Sequence, residues 1–209
     1  MQRETGVVVG GIVLCGGHSR RMGSPKFALP FGPITMLQHM VSRIGQSLDP
    51  VVVVAAPEQR LPELPDDILV VRDIHTDAGP LAGIHTGLVA MAPHADIAYV
   101  TACDAPFLRT ALIDEMVNRL GSADLAIPRD GDYHHPLAAV YRTSLSPVID
   151  GLLQSGARRP LSLFEQACVN EVDVDSLREV DPTLESFRNL NSPDEYSQAL
   201  IDAGFSAKS

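Results

Sequence analysis

Short runs of consecutive apolar residues alternate along this chain with stretches whose apolar positions recur at helical spacing. The runs predict strands buried on both faces, and the spaced stretches predict amphipathic helices. Residues 12–15, 51–55, 68–71 and 97–103 are the predicted buried strands. Residues 35–46 predict a helix with Thr35 as N-cap and Met36, Leu37, Met40, Val41 and Ile44 on one face. Helices are also expected over 81–91, after the Gly79-Pro80 break, and over 110–120. From residue 125 the pattern changes. Residues 125–127 and 137–141 flank a turn at Asp130-Gly131 and predict a long hairpin, which makes the sheet mixed. A helix over 144–154, a basic bend at Arg158-Arg159-Pro160, a helix to about 167, a short strand near Val172 and a last helix after Pro193 complete the order. Strand and helix alternate as in an α/β domain, and the absence of repeats or linkers predicts a single domain over 1–209.

The first apolar run ends in Leu14-Cys15-Gly16-Gly17, followed by Arg20, Arg21 and Lys26. Paired glycines free the backbone to turn, and three cations within ten residues describe a loop built around an anion. The glycine pair alone would read as a plain connector. With the cations, a polyphosphate is the ligand to consider. The spacing fits neither a Walker A loop nor a dinucleotide fingerprint. Main-chain N–H groups around Leu14 to Gly17 can meet phosphate oxygens, arginine binds them as a fork, and Lys26 acts as a mobile point charge.

The net charge of −10 over 209 residues gives those cations their weight, because it disfavours nucleic-acid and anionic-membrane binding. At an effective dielectric of about 20, one charge pair at ~4 Å is worth ~4 kcal/mol before desolvation. Cys15, Cys103 and Cys168 lack metal-ligand spacing, and with no signal peptide or long apolar span the expected location is the cytoplasm. Cys15 and Cys103 close apolar runs and read better as small buried residues than as redox groups.

Ligands of open α/β sheets lie beyond the carboxyl ends of the strands, where the glycine loop, Asp73 and Asp104 all fall. Asp104 suits Mg2+, which takes hard oxygens alongside waters and substrate phosphates; it could equally cap the helix near Thr110. Asp73 reads as a turn aspartate, or as a partner of metal or nucleotide. Asn189 and Asn191 can donate and accept hydrogen bonds, and Ser192-Pro193-Asp194-Glu195 is also a helix start. Arg158 and Arg159 form a basic bend that can bind a phosphate or stay solvated. His134 and His135 lack a second ligand motif and read as a hairpin or pocket feature, and His18 as a loop residue.

Leu14-Cys15-Gly16-Gly17 with Ser19-Arg20-Arg21-Met22-Gly23 and Lys26, then Gly79-Pro80-Leu81-Ala82-Gly83, Cys103-Asp104-Ala105-Pro106-Phe107, His135-Pro136-Leu137 and Asn189-Leu190-Asn191-Ser192-Pro193-Asp194-Glu195 resemble molybdenum cofactor guanylyltransferases (MobA-like), in the same order. The resemblance spans about the whole chain. It implies a nucleotide-diphospho-sugar transferase-type fold, a Rossmann-like three-layer α/β/α arrangement with a mostly parallel mixed sheet. The implied reaction joins GMP from GTP to Mo-molybdopterin, releasing pyrophosphate with Mg2+ as cofactor. Leu14, Cys15, Gly16 and Gly17 would then contact GTP. Arg21, Lys26 and Asp104 would be catalytic, Asp73, Lys26 and Asp104 nucleotide-binding, and Asp104 the metal ligand. Arg158, Arg159, Asn189 and Asn191 would face the acceptor, with molybdoenzyme maturation proteins as further candidate partners.

Three positions depart from the family pattern. Cys15 replaces an alanine, and Pro25 replaces an aspartate, removing a carboxylate and a backbone donor beside Lys26. Val54-Ala55-Ala56-Pro57 lacks the asparagine that commonly contacts the nucleotide. These departures leave open a related cytidylyltransferase acting on molybdopterin or another phosphorylated acceptor. A non-catalytic GTP-binding cofactor carrier is the other alternative.

Overall fold

The computed structural model describes residues 6–16, 24–73 and 79–205. Its main sheet contains β1 (Val9–Leu14), β4 (Val51–Ala55), β5 (Leu69–Arg72), β6 (Ile97–Ala102), β7 (Leu125–Asp130), β8 (Tyr133–His134), β9 (Ala138–Arg142) and β10 (Val169–Asp173). The strand order is β10-β7-β9-β6-β1-β4-β5, with β8 also paired to β7. β2 (Pro30–Phe31) and β3 (Ile34–Thr35) form a separate small hairpin. β1 runs parallel to β4 and β6, and β9 is antiparallel to both β6 and β7. The sheet is therefore mixed, as the late hairpin predicts. That hairpin's returning arm is interrupted: β8 pairs with Arg129 and Asp130, and β9 pairs with Leu125 and Ala126.

Both faces of the central strands are covered, which is why their sequences are continuously apolar. On β4, Val51, Val53 and Ala55 join the core shared with α1 (Met36–Ile44) and α3 (Thr110–Leu120). Val52 and Val54 join the opposite core, under α2 (Gly79–Met91) and α4 (Ser146–Gln154). This is the expected three-layer arrangement. Gly87 lets α2 lie close to β1, since a Cβ there would stand 2.6 Å from Ile12 Cγ2.

Local signals set the helix ends. Thr35 and Gln38 form a capping box on α1, and the five predicted core residues of that helix are all buried. The segment over 144–154 divides into a 3₁₀ turn (Thr143–Leu145) and α4, and the one expected before residue 167 is a 3₁₀ helix, Pro160–Glu165.

One strand differs from expectation. The run at 68–71 reads as buried, but β5 is the outermost strand of the parallel side, with Leu69 40% and Val70 39% exposed. Its pairing with β4 satisfies one edge, and among the described residues no strand pairs with the other.

Beyond the sheet, α5 (Pro193–Asp202) packs back on the chain. Leu190, Ala199 and Leu200 form a small core with Phe31 and Met36, and Phe107 lies against it. That core joins the segment after Lys26, the segment after Asp104 and the segment before α5.

Candidate active site at the carboxyl rim

The small core converges three side chains. Lys26 opens a 3₁₀ turn (Lys26–Ala28) whose preceding residue, Pro25, accepts from the Ala28 N–H at 3.0 Å. The Pro25 carbonyl thus closes the turn that opens at the lysine. The Lys26 ammonium donates to Asp104 Oδ2 at 2.6 Å and to Asn191 Oδ1 at 3.0 Å. The Asp104 carbonyl also accepts from the Leu190 N–H at 3.0 Å.

Asp104 does not cap α3. The N-cap of that helix is Arg109, and the Arg109 N–H donates to Ser186 Oγ at 3.0 Å. Arg109 also pairs with the fully buried Asp181, whose second carboxylate oxygen accepts from the Ser186 N–H. These bonds lash the segment leading to Asn191 onto the loop that carries Asp104. At α5, the helix start expected from the sequence is a capping box between Ser192 and Glu195, and Glu195 additionally accepts from the Asn191 N–H at 2.6 Å. Those hydrogen bonds hold the Glu195 carboxyl below the ordinary glutamate range. Helix cap and site residue are thus one device.

A second group lies where β1 and β4 end. The Cys15 N–H donates to the Val54 carbonyl at 2.9 Å, and the Cys103 N–H donates to the Leu14 carbonyl at 3.1 Å. Cys15 is buried, and burial pushes its thiol up to about 12. Burial likewise raises the Cys103 thiol, with the Asp104 charge adding to the effect. Both behave as small apolar residues rather than nucleophiles. Gly16 is exposed beside them. The Asp73 N–H donates to the Ala55 carbonyl at 2.8 Å, and its carboxylate accepts from Thr86 Oγ1 at 3.3 Å, fixing it against α2.

Other expected residues stand apart. Arg158 and Arg159 are exposed, and the Arg158 backbone abuts the start of α2, where a Cβ on Gly79 would meet its carbonyl oxygen at 2.8 Å. Asn189 is exposed and, among the described residues, makes no hydrogen bond to Lys26, Asp104 or Asn191. His134 Nε2 pairs with Glu171 at 2.6 Å, while the His135 ring packs against Tyr133 and Phe187, so the two histidines belong to the hairpin. Gly17, His18, Arg20 and Arg21 lie outside the described residues.

Among the described residues no three His, Cys, Asp or Glu side chains are grouped to hold a metal. An ion bound mainly by waters and substrate phosphates needs fewer protein ligands. Asp104 and Asn191 present two hard oxygens to a common cation, the Lys26 ammonium, and that donor set fits a divalent metal ion.

Sequence reasoning missed Gln59, Arg72, Arg109, Asp181 and Ser186. The Gln59 carboxamide bridges the Ala56 N–H and the Cys15 carbonyl, and Arg72 donates to the carbonyls of Ala56 and Gln59. No motif spacing marks these residues. Their roles depend on where loops return to the sheet.

Comparison with known proteins agrees with this architecture. Residues 11–170 match the MobA-like NTP transferase domain. The chain is 40% identical over 191 residues to the probable molybdenum cofactor guanylyltransferase of Mycobacterium tuberculosis (strain ATCC 25618 / H37Rv), covering 89% of this chain and 90% of that protein. The crystal structure of molybdopterin-guanine dinucleotide biosynthesis protein A from Archaeoglobus fulgidus superposes with a TM-score of 0.76 at 25% identity, over 93% of this chain and 98% of that one. Rv0371c of M. tuberculosis, solved in complex with manganese, shares the fold with a TM-score of 0.59 at 16% identity, over 93% and 98% of the two chains. The fold is thus that of the nucleotide-diphospho-sugar transferases. With the family match over residues 11–170 and the 40% identical relative, the chain belongs to the MobA-like NTP transferase family.

Proposed function

We infer that this protein transfers GMP from GTP to molybdopterin, forming the guanine dinucleotide and releasing pyrophosphate. The observation carrying this reading is the Lys26 ammonium held between Asp104 and Asn191 at the carboxyl rim of a MobA-like fold. A relative with 40% identity bears the name molybdenum cofactor guanylyltransferase.

In the reaction, a terminal phosphate oxygen of molybdopterin attacks the α-phosphorus of GTP in line. The new P–O bond forms as the bond to the bridging oxygen breaks, and its electrons leave with pyrophosphate. Such chemistry asks for alignment and charge neutralisation rather than a protein nucleophile. Leu14, Cys15 and Gly16 offer main-chain groups to the nucleoside, with Gly17 continuing that loop and Asp73 facing the same nucleotide. Lys26, released toward the phosphates, neutralises charge passing to pyrophosphate, a role shared with Arg21. Asp104 and Asn191 hold that lysine in place before substrate arrives and are the residues that would hold Mg2+. When bound, the ion supplies charge neutralisation at the phosphates. Arg158, Arg159 and Asn189 are assigned to the acceptor side, Asn191 to both.

The reading is that of an enzyme working in the cytoplasm. No helix among the described residues is long and apolar enough to cross a membrane. Purified protein incubated with Mo-molybdopterin, Mg2+ and GTP, CTP or ATP in separate reactions should release pyrophosphate and form nucleotide-linked pterin with GTP alone. Turnover with CTP would reassign the base. Binding of GTP without turnover would make the protein a carrier.

A further inference from the structure

β1 and β4 pair in parallel register through Leu14 and Val54, and the Cys15 N–H to Val54 carbonyl bond is the last direct rung between them. In a regular parallel ladder the next rung would be donated by the Ala56 N–H to the Cys15 carbonyl. Here that rung is split. The Ala56 N–H donates to Gln59 Oε1 at 2.9 Å, and Gln59 Nε2 donates to the Cys15 carbonyl at 2.9 Å. One side-chain carboxamide has been inserted into the sheet. The donor and acceptor on either side also fix its orientation, since a flipped amide would lose both bonds.

The splitting is local to this edge. On the far side of β4, the Asp73 N–H still donates to the Ala55 carbonyl, and on the far side of β1, the Cys103 N–H still donates to Leu14. Among these described strand ends the gap opens between β1 and β4, at the carboxyl rim where open α/β sheets bind ligands. It presents one N–H donor and one C=O acceptor, separated by the width of a planar amide. The lactam edge of a 6-oxopurine has the same O=C–N–H grouping as the carboxamide now in place. Gly16 borders the gap: among the described residues, a Cβ there would meet only the Ala56 nitrogen within 4 Å, at 3.6 Å. The turn over 56–59 is braced from outside by Arg72, which donates to Ala56 and Gln59 carbonyls at 3.0 and 2.7 Å. Gln59 is only partly buried, so its side chain can leave while that brace holds the turn.

We propose that the Gln59 carboxamide is an internal stand-in for the nucleobase, and that a 6-oxopurine binds by displacing it from the Ala56 N–H and the Cys15 carbonyl. This rests on the guanylyl-transfer reading and extends it to the base. The family's usual asparagine is replaced at the strand end by an apolar Val54-Ala55-Ala56-Pro57 stretch, and base recognition falls to main-chain groups that Gln59 keeps paired until the ligand arrives. An apparent affinity is reduced by the fraction of protein whose slot is closed, so removing the stand-in strengthens binding.

Titration of GMP into wild type and Gln59→Ala tests this. Loss of two competing hydrogen bonds should lower the Kd for GMP by about three- to tenfold, with the ratio of GTP to GMP affinity unchanged. A Kd equal to or higher than wild type, in a variant with unaltered circular dichroism, would overturn the proposal. Wild-type protein gives a second readout that needs no variant. Saturating GMP should shift the Gln59 side-chain NH2 resonance to that of a solvent-exchanging amide, while inorganic triphosphate should leave it in place. A Gln59 amide still protected when GMP is bound overturns this proposal alone. Failure of wild type to bind any nucleoside triphosphate overturns the functional reading together with it.

Discussion

At one end of the carboxyl rim, Lys26, Asp104 and Asn191 arrive from three distant segments and meet through charged and polar side chains. At the other end, between β1 and β4, the presented groups are the Cys15 carbonyl and the Ala56 N–H, with Gln59 as their present partner. The first end depends on which residues occupy a few positions. The second depends on where two strands diverge, and many side chains would leave it intact. A charged end suits phosphate, whose recognition is dominated by charge, and a main-chain end suits a planar base with a fixed donor and acceptor pattern.

The comparison breaks most sharply at Asp104. Asp104→Ala should lower turnover at least about 100-fold, because it removes both the partner that holds Lys26 and the carboxylate assigned to the metal. Circular dichroism should remain that of the wild type, since the Asp104 carbonyl still accepts from Leu190. Near-wild-type turnover would remove Asp104 from the site.

The main-chain end is attacked from beneath. Gly87→Ala places a Cβ 2.6 Å from Ile12 Cγ2 and 3.2 Å from Val54 Cγ2, so α2 must move away from β1 and β4. Overpacking of this kind costs about 1–3 kcal/mol, partly offset by the better helix propensity of alanine. Urea denaturation should show a net loss of about 1 kcal/mol, and GMP affinity should fall more than affinity for inorganic triphosphate. A stabilised protein would mean that α2 is not pressed against the strands.

The smallest effect is a difference in thiol reactivity. With its thiol pushed up to about 12 by burial, Cys15 is far less ionised at pH 8 than an exposed cysteine. Cys103 is also buried and raised, whereas Cys168 is exposed. Labelling of native protein with a chromogenic disulfide should modify Cys168 first and the other two far more slowly. Three equal rates would mean that the strand ends are open to solvent.

Much of this architecture is legible in the chain. Val51–Ala55 reads as buried on both faces and is, because helices cover both sides, and Thr35 and Ser192 cap the helices that their positions predict. β5 is legible as a strand but not as an edge, because its apolar run carries no record of which neighbours exist. The charged end is similarly open to inspection: Lys26, Asp104 and Asn191 follow turn or strand-end signals and carry chemistry in their side chains. Gln59 gives no such signal, since its contribution is a carboxamide folded back onto backbone groups 44 and three residues away. Asp181, before Pro182, lies in no motif that marks it, yet it is fully buried and paired with Arg109 and Ser186. Periodicity reports which face of an element is apolar. It does not report which loop closes over a strand end.

The division of the rim is tested most directly by calorimetric titration of guanosine, GMP and GTP into wild type and Lys26→Ala. Removing a charge-assisted partner of the phosphates should weaken GTP by about 10- to 100-fold, weaken GMP less and leave guanosine unchanged. Equal losses for all three ligands would contradict the account, because Lys26 would then be supporting the whole pocket rather than its phosphate end.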